Sequence, residues 1–401
     1  MSRSDALALH GGRPVRERML PYGRHEIDEA DIQAVVEVLR GEWLTNGPTV
    51  ARFEQAFAET VGAKFAVAFS SGTAALHAAA FVTGIGPGDE VITSPLTFLA
   101  SANCLLYCGA RPIFADIDPA TLNLDPAAVQ AALSPRTKAI LPIHFAGLPC
   151  HMDAIHTIAR SRNLTVIEDA AHALGAEIDG RRIGGLSDLT TFSFHPVKHI
   201  TTGEGGMVTG NDPALAGGLK QFRNHGIERE VRQRQGTTPG AWRQDMIALG
   251  FNYRLTDIQS ALGLSQLRRL DARLKRREDI ARRYREAFAA MPEVTVAPTR
   301  QGTRHAWHIY PLLLNGDRLQ RDREAIFQAL RAENIGASVH YLPVHLHPYY
   351  RERLGTGPGL CPAAEAAFER LLTLPLFPGM TDGDVADVIA AVEKVIRWAR
   401  K

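Results

Sequence analysis

Cysteine is scarce in this 401-residue chain, and neither sign of charge is in excess. The four cysteines, Cys104, Cys108, Cys150 and Cys361, have no C-x-x-C spacing, so metal frameworks of that kind are excluded. Cys104 and Cys108 lie one helical turn apart in an apolar stretch and read as buried free thiols, which suits a reducing compartment. Lysine and arginine number 45 against 43 acids, a formal net charge of +2, which argues against a surface that coats nucleic acid. The most charged run, "RLDARLKRRED", mixes both signs and reads as a solvated helix face. No apolar run is long enough to span a membrane, and the opening "MSRSDALALHGGRPVRERMLPYG" has no continuous apolar core for export. The cytoplasm is therefore the expected location. Internal repeats and low-complexity segments are also missing.

What is present is ample core: 45% hydrophobic and 22% charged residues describe a globular protein, and 401 residues are enough for one large α/β domain plus a smaller one, or for two to three modest domains. From about Ala63 to Gly210, short apolar runs such as "AKFAVAF", "DEVITSP", "RPIFADI", "TKAILPIHF", "LTVIEDAAH", "LTTFSFH" and "GGMVTG" alternate with helical patterns. Nearly continuous hydrophobic strands separated by amphipathic helices predict a largely parallel sheet covered on both faces. After Arg254 a long helical pattern runs to about Met291 without proline. Beyond it come a strand ("HAWHIYPLLL"), a helix ("DREAIFQALRAEN"), a strand ("ASVHYLP") and further helices. The expected division is a large domain with an N-terminal arm over 1–253, a linking long helix over 254–290, and a small α+β domain over 291–401.

Ligands of such sheets gather where strands end, and four features fall there. "SSGTAAL" puts small residues between a strand and a helix, where free N–H groups and the helix dipole make an anion seat. "PLTFLAS" brings Phe98 to the start of another helix. "LTVIEDAAH" ends a buried strand on Glu168 and Asp169; an acid there commonly serves only to cap the next turn. In "FSFHPVKHITTGEGG", Lys198 sits between two histidines ahead of a glycine-rich turn. Each is commonplace alone. In this order they describe a pyridoxal phosphate site, in which the seat holds the phosphate, the aromatic stacks on the ring, the acid pairs with the ring nitrogen and the lysine forms a Schiff base. The acid is needed because the pyridine must stay protonated to act as an electron sink. The lysine must be neutral at times to attack an aldehyde, so desolvation or nearby positive charge should lower its pKa.

The wording "SSGTAALHAA", "SPLTFLASAN", "EDAAHALGA", "FSFHPVKHITTGEGG", "RNHGI", "GFNYRLTDIQSALGLSQL" and "VHYLPVHLHP" resembles the DegT/DnrJ/EryC1/StrS family of nucleotide-sugar aminotransferases over nearly the whole chain. The resemblance implies a type I, aspartate-aminotransferase-like pyridoxal phosphate fold: a large domain with a mainly parallel, seven-stranded type of sheet and a small α+β C-terminal domain. It also implies a homodimer with active sites built from both subunits. Carried over by position, Gly72, Thr73 and Ala74 would receive the phosphate, with a hydroxyl from Ser193. Phe98 would lie against the ring, Asp169 would pair with its nitrogen, and His172 would contact the phenolic oxygen. Lys198 would carry the imine, and Asn252 would reach the phosphate of the other subunit.

The stretch "LPYGRHEIDEADIQAVVEVLRGEWLTNGP" is similar to the branch of that family which aminates C4 of UDP-linked 4-keto-6-deoxy-N-acetylhexosamines on the way to pseudaminic acid. By that likeness Tyr22, Glu42, Trp43, Leu44 and Thr45 would line the sugar pocket, joined by His340 and Tyr341. A core anchor is the alternative for Trp43, and an ordinary strand pair for His340 and Tyr341. Glutamate is the expected amino donor, with Arg223 and Arg254 as candidates for its carboxylate or as structural ion-pair members. Other outcomes left open are C3 amination, a GDP or dTDP sugar, a sugar dehydratase and a non-catalytic binder. No metal is expected: "HLH" at His345–His347 has no carboxylate or Cys partner at ligand spacing.

Overall fold

The computed structural model describes residues 6–228 and 244–401. Its centre is a seven-stranded sheet whose strands, in spatial order, span 65–69, 206–210, 189–193, 165–169, 137–141, 90–93 and 111–114. Six run parallel; Gly206–Gly210 is antiparallel to both its neighbours. These strands are buried along almost their whole length, which explains why they read as apolar runs rather than alternating ones. On one face pack Phe53, Phe57, Phe192 and Phe194, whose rings meet at centroid separations of 5.0–6.0 Å. The other face is covered by the alanine-rich helix Gly72–Val82 and by Ala100–Tyr107. Small side chains there let the helices lie close on the sheet. All four cysteines are free thiols; Cys104, Cys150 and Cys361 are buried and Cys108 is half-buried.

The second core lies in the C-terminal part, around a three-stranded antiparallel sheet of Val294–Thr295, Tyr310–Leu314 and Leu371–Leu374. The last helix, Asp382–Ala399, buries Val385, Val388, Val392 and Val395 against it and starts with a capping box between Thr381 and Asp384. Three expectations need correction. The long helical pattern is two helices, Asp257–Leu267 and Leu270–Phe288, broken at Arg268–Arg269. Arg269 leaves helical geometry (φ −105°, ψ 6°) while its guanidinium pairs with Asp28 and Asp31. The "HAWHIYPLLL" strand begins only at Tyr310, because Trp307 adopts a left-handed backbone (φ 49°) that no strand accommodates. "ASVHYLP" is no strand; it makes a single bridge, Ser338 to Thr373, before Pro343.

Phe57 is the hub of the aromatic face and is fully buried. Phe57→Ala is expected to destabilise the protein by about 3–5 kcal/mol, as for buried aromatics elsewhere, read as a lowered urea midpoint with an unchanged slope.

Candidate active site

Where the parallel strands end, the structure has a cavity of about 490 Å³, a volume suited to a small organic ligand. Its floor is Asp169, the last residue of Thr165–Asp169. One carboxylate oxygen accepts from the Ser101 hydroxyl at 2.7 Å, and the other from the Ala171 N–H at 3.0 Å. Ser101 is in turn 2.8 Å from the Thr97 hydroxyl. The chain Thr97–Ser101–Asp169 fixes the acid in one orientation. The neighbouring Glu168 points to the opposite side, into a buried pair with His144 at 2.7 Å. Because the Cys150 N–H donates to His144 Nδ1, that nitrogen carries no proton and Nε2–H donates to Glu168. Of the two acids in "IED", only Asp169 faces the cavity.

The anion seat is the start of helix Gly72–Val82. Ser71 caps it by accepting from the Ala74 N–H at 3.1 Å, so the Ala74 amide is already used. The Gly72 and Thr73 N–H groups have no acceptor among the described residues. Two glycines bring this turn onto the sheet end. A Cβ on Gly72 would stand 2.9 Å from Ser193 Cβ, and one on Gly206 would be 2.4 Å from the Ser71 carbonyl oxygen. Gly206 pairs directly with both Phe69 and Ser193, so the seat and the Ser193 hydroxyl share one corner.

Lys198 rises from the loop after Ser193, its N–H donating to the His195 carbonyl at 2.9 Å. The amine is enclosed, though the residue as a whole is only partly covered. Burial pushes its pKa down from 10.5 to about 8; Asp169 opposes that shift and the Arg277 guanidinium adds to it. Beside it lies His308, with Nε2 3.4 Å from the amine. His172 packs on His308 at 4.3 Å between ring centroids, and its Nε2 is 3.2 Å from the Tyr341 hydroxyl. Burial holds His172, His308 and His340 below their ordinary pKa, His340 at about 4, with the Lys198 charge acting in the same direction. The imidazoles are therefore neutral near pH 7.

The structure gathers Tyr22, Gly72, Thr73, Phe98, Asp169, His172, Ser193, Lys198, His340 and Tyr341 around this one cavity. Phe98 stands at its rim, 58% exposed, with its ring 6.1 Å from that of Tyr341. Tyr22 leans on His340, whose Nδ1 is 2.9 Å from the Thr373 hydroxyl. Glu42, Trp43, Leu44 and Thr45 lie elsewhere in the protomer, all exposed, Trp43 to 56%. That segment is tied to the chain by a Thr45–Thr256 bridge and by the Asp257 N–H donating to the Leu44 carbonyl. Asn252 is also exposed and outside the cavity. Arg223 is committed to Glu54 and to the Ala68 carbonyl, and Arg254 donates to Asn224 at 2.6 Å. No cluster of three or more His, Cys, Asp or Glu among the described residues is arranged to hold a metal ion.

Sequence reasoning missed Ser101, Thr97 and His308. Ser101 carries a legible signal, three residues after Phe98 and so on the same face of the helical turn. His308 carries none, since nothing local distinguishes it from His305, the other histidine of "HAWH".

The residues present fit pyridoxal phosphate: two bare N–H groups and a hydroxyl at one end, a fixed carboxylate at the floor, an aromatic at the rim and an enclosed amine. An unpartnered buried Nδ1 on His172 adds a polar atom with no use in the described residues themselves.

Comparisons with known proteins agree in kind. The sequence profile of the DegT/DnrJ/EryC1/StrS aminotransferase family matches residues 25–393. The chain is 46% identical over 385 residues to the spore coat polysaccharide biosynthesis protein SpsC of Bacillus subtilis, covering 96% of this chain and 99% of that one. Among solved structures it resembles Helicobacter pylori PseC, an aminotransferase involved in the biosynthesis of pseudoaminic acid. That match has a TM-score of 0.88, 31% identity, and coverage of 95% and 100% of the two chains. It also resembles Spr1654 of Streptococcus pneumoniae in its PMP form, with a TM-score of 0.89, 31% identity, and coverage of 94% and 99%.

Removing the Ser101 hydroxyl leaves one Asp169 oxygen without its donor. Ser101→Ala is expected to weaken coenzyme affinity by about tenfold, the loss typical of a hydrogen bond to a charged group. Fluorescence titration with pyridoxal phosphate reads it, and an unchanged affinity would remove Ser101 from the site.

Proposed function

Since the chain belongs to the DegT/DnrJ/EryC1/StrS aminotransferase family, and so is a pyridoxal-phosphate-dependent sugar aminotransferase, we propose that it moves an amino group from glutamate to C4 of a UDP-linked 4-keto-6-deoxy-N-acetylhexosamine. The carrying observation is that one cavity is lined by Lys198 and Asp169 together with Tyr22, His340 and Tyr341. Likeness to PseC supports an acceptor of the pseudaminic acid type, and likeness to SpsC supports a sugar destined for polysaccharide.

When bound, the coenzyme supplies an electron sink for a carbanion and a carrier for the amine. The chain does the rest. Lys198 would hold the coenzyme covalently, and its free amine would move the proton at the donor's α-carbon and at the sugar carbon. An amine with a pKa of about 8 suits both directions, because it gives and takes protons near neutrality. Asp169 shuttles no proton; its fixed negative charge keeps the ring nitrogen protonated. Gly72, Thr73 and Ser193 would seat the phosphate, Phe98 would cover the ring, and His172 would meet the phenolic oxygen. Ala74 contributes through packing, since Ser71 occupies its amide.

We assign Asn252 and the exposed segment Glu42–Thr45 to the cavity of a second copy in a homodimer, which accounts for their distance from their own. A cytoplasmic location accords with this reading; no helix among the described residues is long and apolar enough to cross a membrane.

Two results test the assignment. In a panel of nucleotide keto sugars offered to glutamate-loaded enzyme, UDP-4-keto-6-deoxy-N-acetyl sugars are expected to restore the starting spectrum fastest. Discharge only by 3-keto, GDP or dTDP sugars would overturn the acceptor while sparing the aminotransferase. Separately, Lys198→Arg and Asn252→Ala enzymes, each inactive, are expected to regain roughly a quarter of wild-type activity when unfolded, mixed equally and refolded, because half the dimers then carry one intact site. No recovery would place Asn252 outside a shared site.

A further inference from the structure

Lys198 has a neighbour that the assignment above leaves without a task. His308 Nε2 is 3.4 Å from the Lys198 amine, and that nitrogen makes no other hydrogen bond among the described residues. Its Nδ1 is buried with no partner among the described residues. If the ring proton sat on Nδ1, a buried N–H would go unpaired. If it sits on Nε2, only a lone pair goes unpaired, which protein interiors tolerate better. Double protonation is opposed by burial and by the positive charges of Lys198 and Arg277. Nε2–H therefore donates, and among the described residues the only atom placed to accept is the amine. An ammonium has no lone pair, so the contact exists only when Lys198 is uncharged.

The placement of His308 is built in. Trp307, just before it, has a left-handed backbone (φ 49°), a costly conformation that persists only where the surroundings impose it. Arg277, 1% exposed, reaches from helix Leu270–Phe288 and donates through one nitrogen to the Trp307, His308 and Leu376 carbonyls at 3.0–3.1 Å. It has no carboxylate partner among the described residues, so its charge is answered only by carbonyl dipoles. On the other side the Ala306 and His308 N–H groups donate to Gly147 and Ala146 at 2.9 Å, and His199 donates to the Ala306 carbonyl at 2.9 Å. The strand pattern is sacrificed at 305–309 to turn one imidazole toward one amine.

We propose that His308 holds the Lys198 amine in its neutral, proton-accepting form through an Nε2–H hydrogen bond, and that Arg277 is the positioning residue that aims His308. The titratable and charged groups around the pair are Asp169, His172, His199, Arg277 and His340; of these only Asp169 favours the ammonium. This role presupposes Lys198 as the working amine, as assigned above, but not any particular sugar.

The test reads the amine directly in full-length protein freed of coenzyme. Acetylation of Lys198 by dilute acetic anhydride is followed by peptide mass spectrometry against pH, alongside thermal melting to confirm the fold. The wild-type midpoint is expected at about 8, against 10.5 for an ordinary lysine. His308→Phe is expected to raise it by about one pH unit, the size one hydrogen bond contributes. His308→Gln, which keeps an N–H donor, is expected to restore most of the difference, and Arg277→Lys, which keeps the positive charge but not the grip on three carbonyls, is expected to raise the midpoint as His308→Phe does. If His308→Phe fails to fold, His308→Leu is read in its place. A wild-type midpoint near 10.5, a His308→Phe midpoint equal to wild type, or no rescue by glutamine would each overturn the proposal. None of these outcomes depends on which sugar the enzyme aminates, so the sugar panel can fail while this result stands.

Discussion

An amine enclosed by protein rather than water is favoured in its uncharged form, and the site is organised around that preference at Lys198. The balance is fine. Too little desolvation leaves a permanent ammonium that can neither bond to an aldehyde nor accept a proton; too strong a carboxylate contact does the same. Asp169 is the nearby acid, and its oxygens are occupied by Ser101 and by the Ala171 N–H. Its charge can then serve the coenzyme's ring nitrogen rather than clamp the lysine. The neighbours on the other side are neutral imidazoles and a buried guanidinium, none of which stabilises the ammonium.

The fold delivers these groups without long-range adjustment. Asp169 and Ser193 end adjacent parallel strands, and the seat at Gly72 follows a third strand in the same sheet. Gly206, on the antiparallel strand between them, leaves room for the Ser71–Gly72 turn to lie against the sheet. The C-terminal part contributes from above through His340, Tyr341 and His308. A side chain at Gly206 would lift the seat, and one at Gly147 would press on the His172 carbonyl and the Trp307 amide. Both glycines matter for what a Cβ would displace.

Much of this was legible in the sequence because it is local. Buried parallel strands are apolar runs, and strand ends carry small, acidic or basic residues whose order names the chemistry. Asp169 and Lys198 are visible for that reason. The Thr97–Ser101–Asp169 chain spans 68 residues between Ser101 and Asp169, so only the folded sheet brings it together. His308 was invisible because its environment is made by Arg277, Ala146 and Gly147, all distant in sequence. The missed strand start at Tyr310 and the missed helix break at Arg269 have one cause: tertiary contacts of arginines overrode a continuous local pattern. The segment Glu42–Thr45 shows the reverse, since residues named by likeness to a sugar pocket lie away from the cavity of their own protomer.

The central claim is that one amine, that of Lys198, carries the coenzyme. Borohydride reduction of the enzyme loaded with pyridoxal phosphate, followed by digestion and peptide mass spectrometry, tests it most directly. A phosphopyridoxyl group on Lys198 and on no other lysine is the predicted result. Stoichiometric labelling at a different lysine, or none at saturating coenzyme, would contradict it.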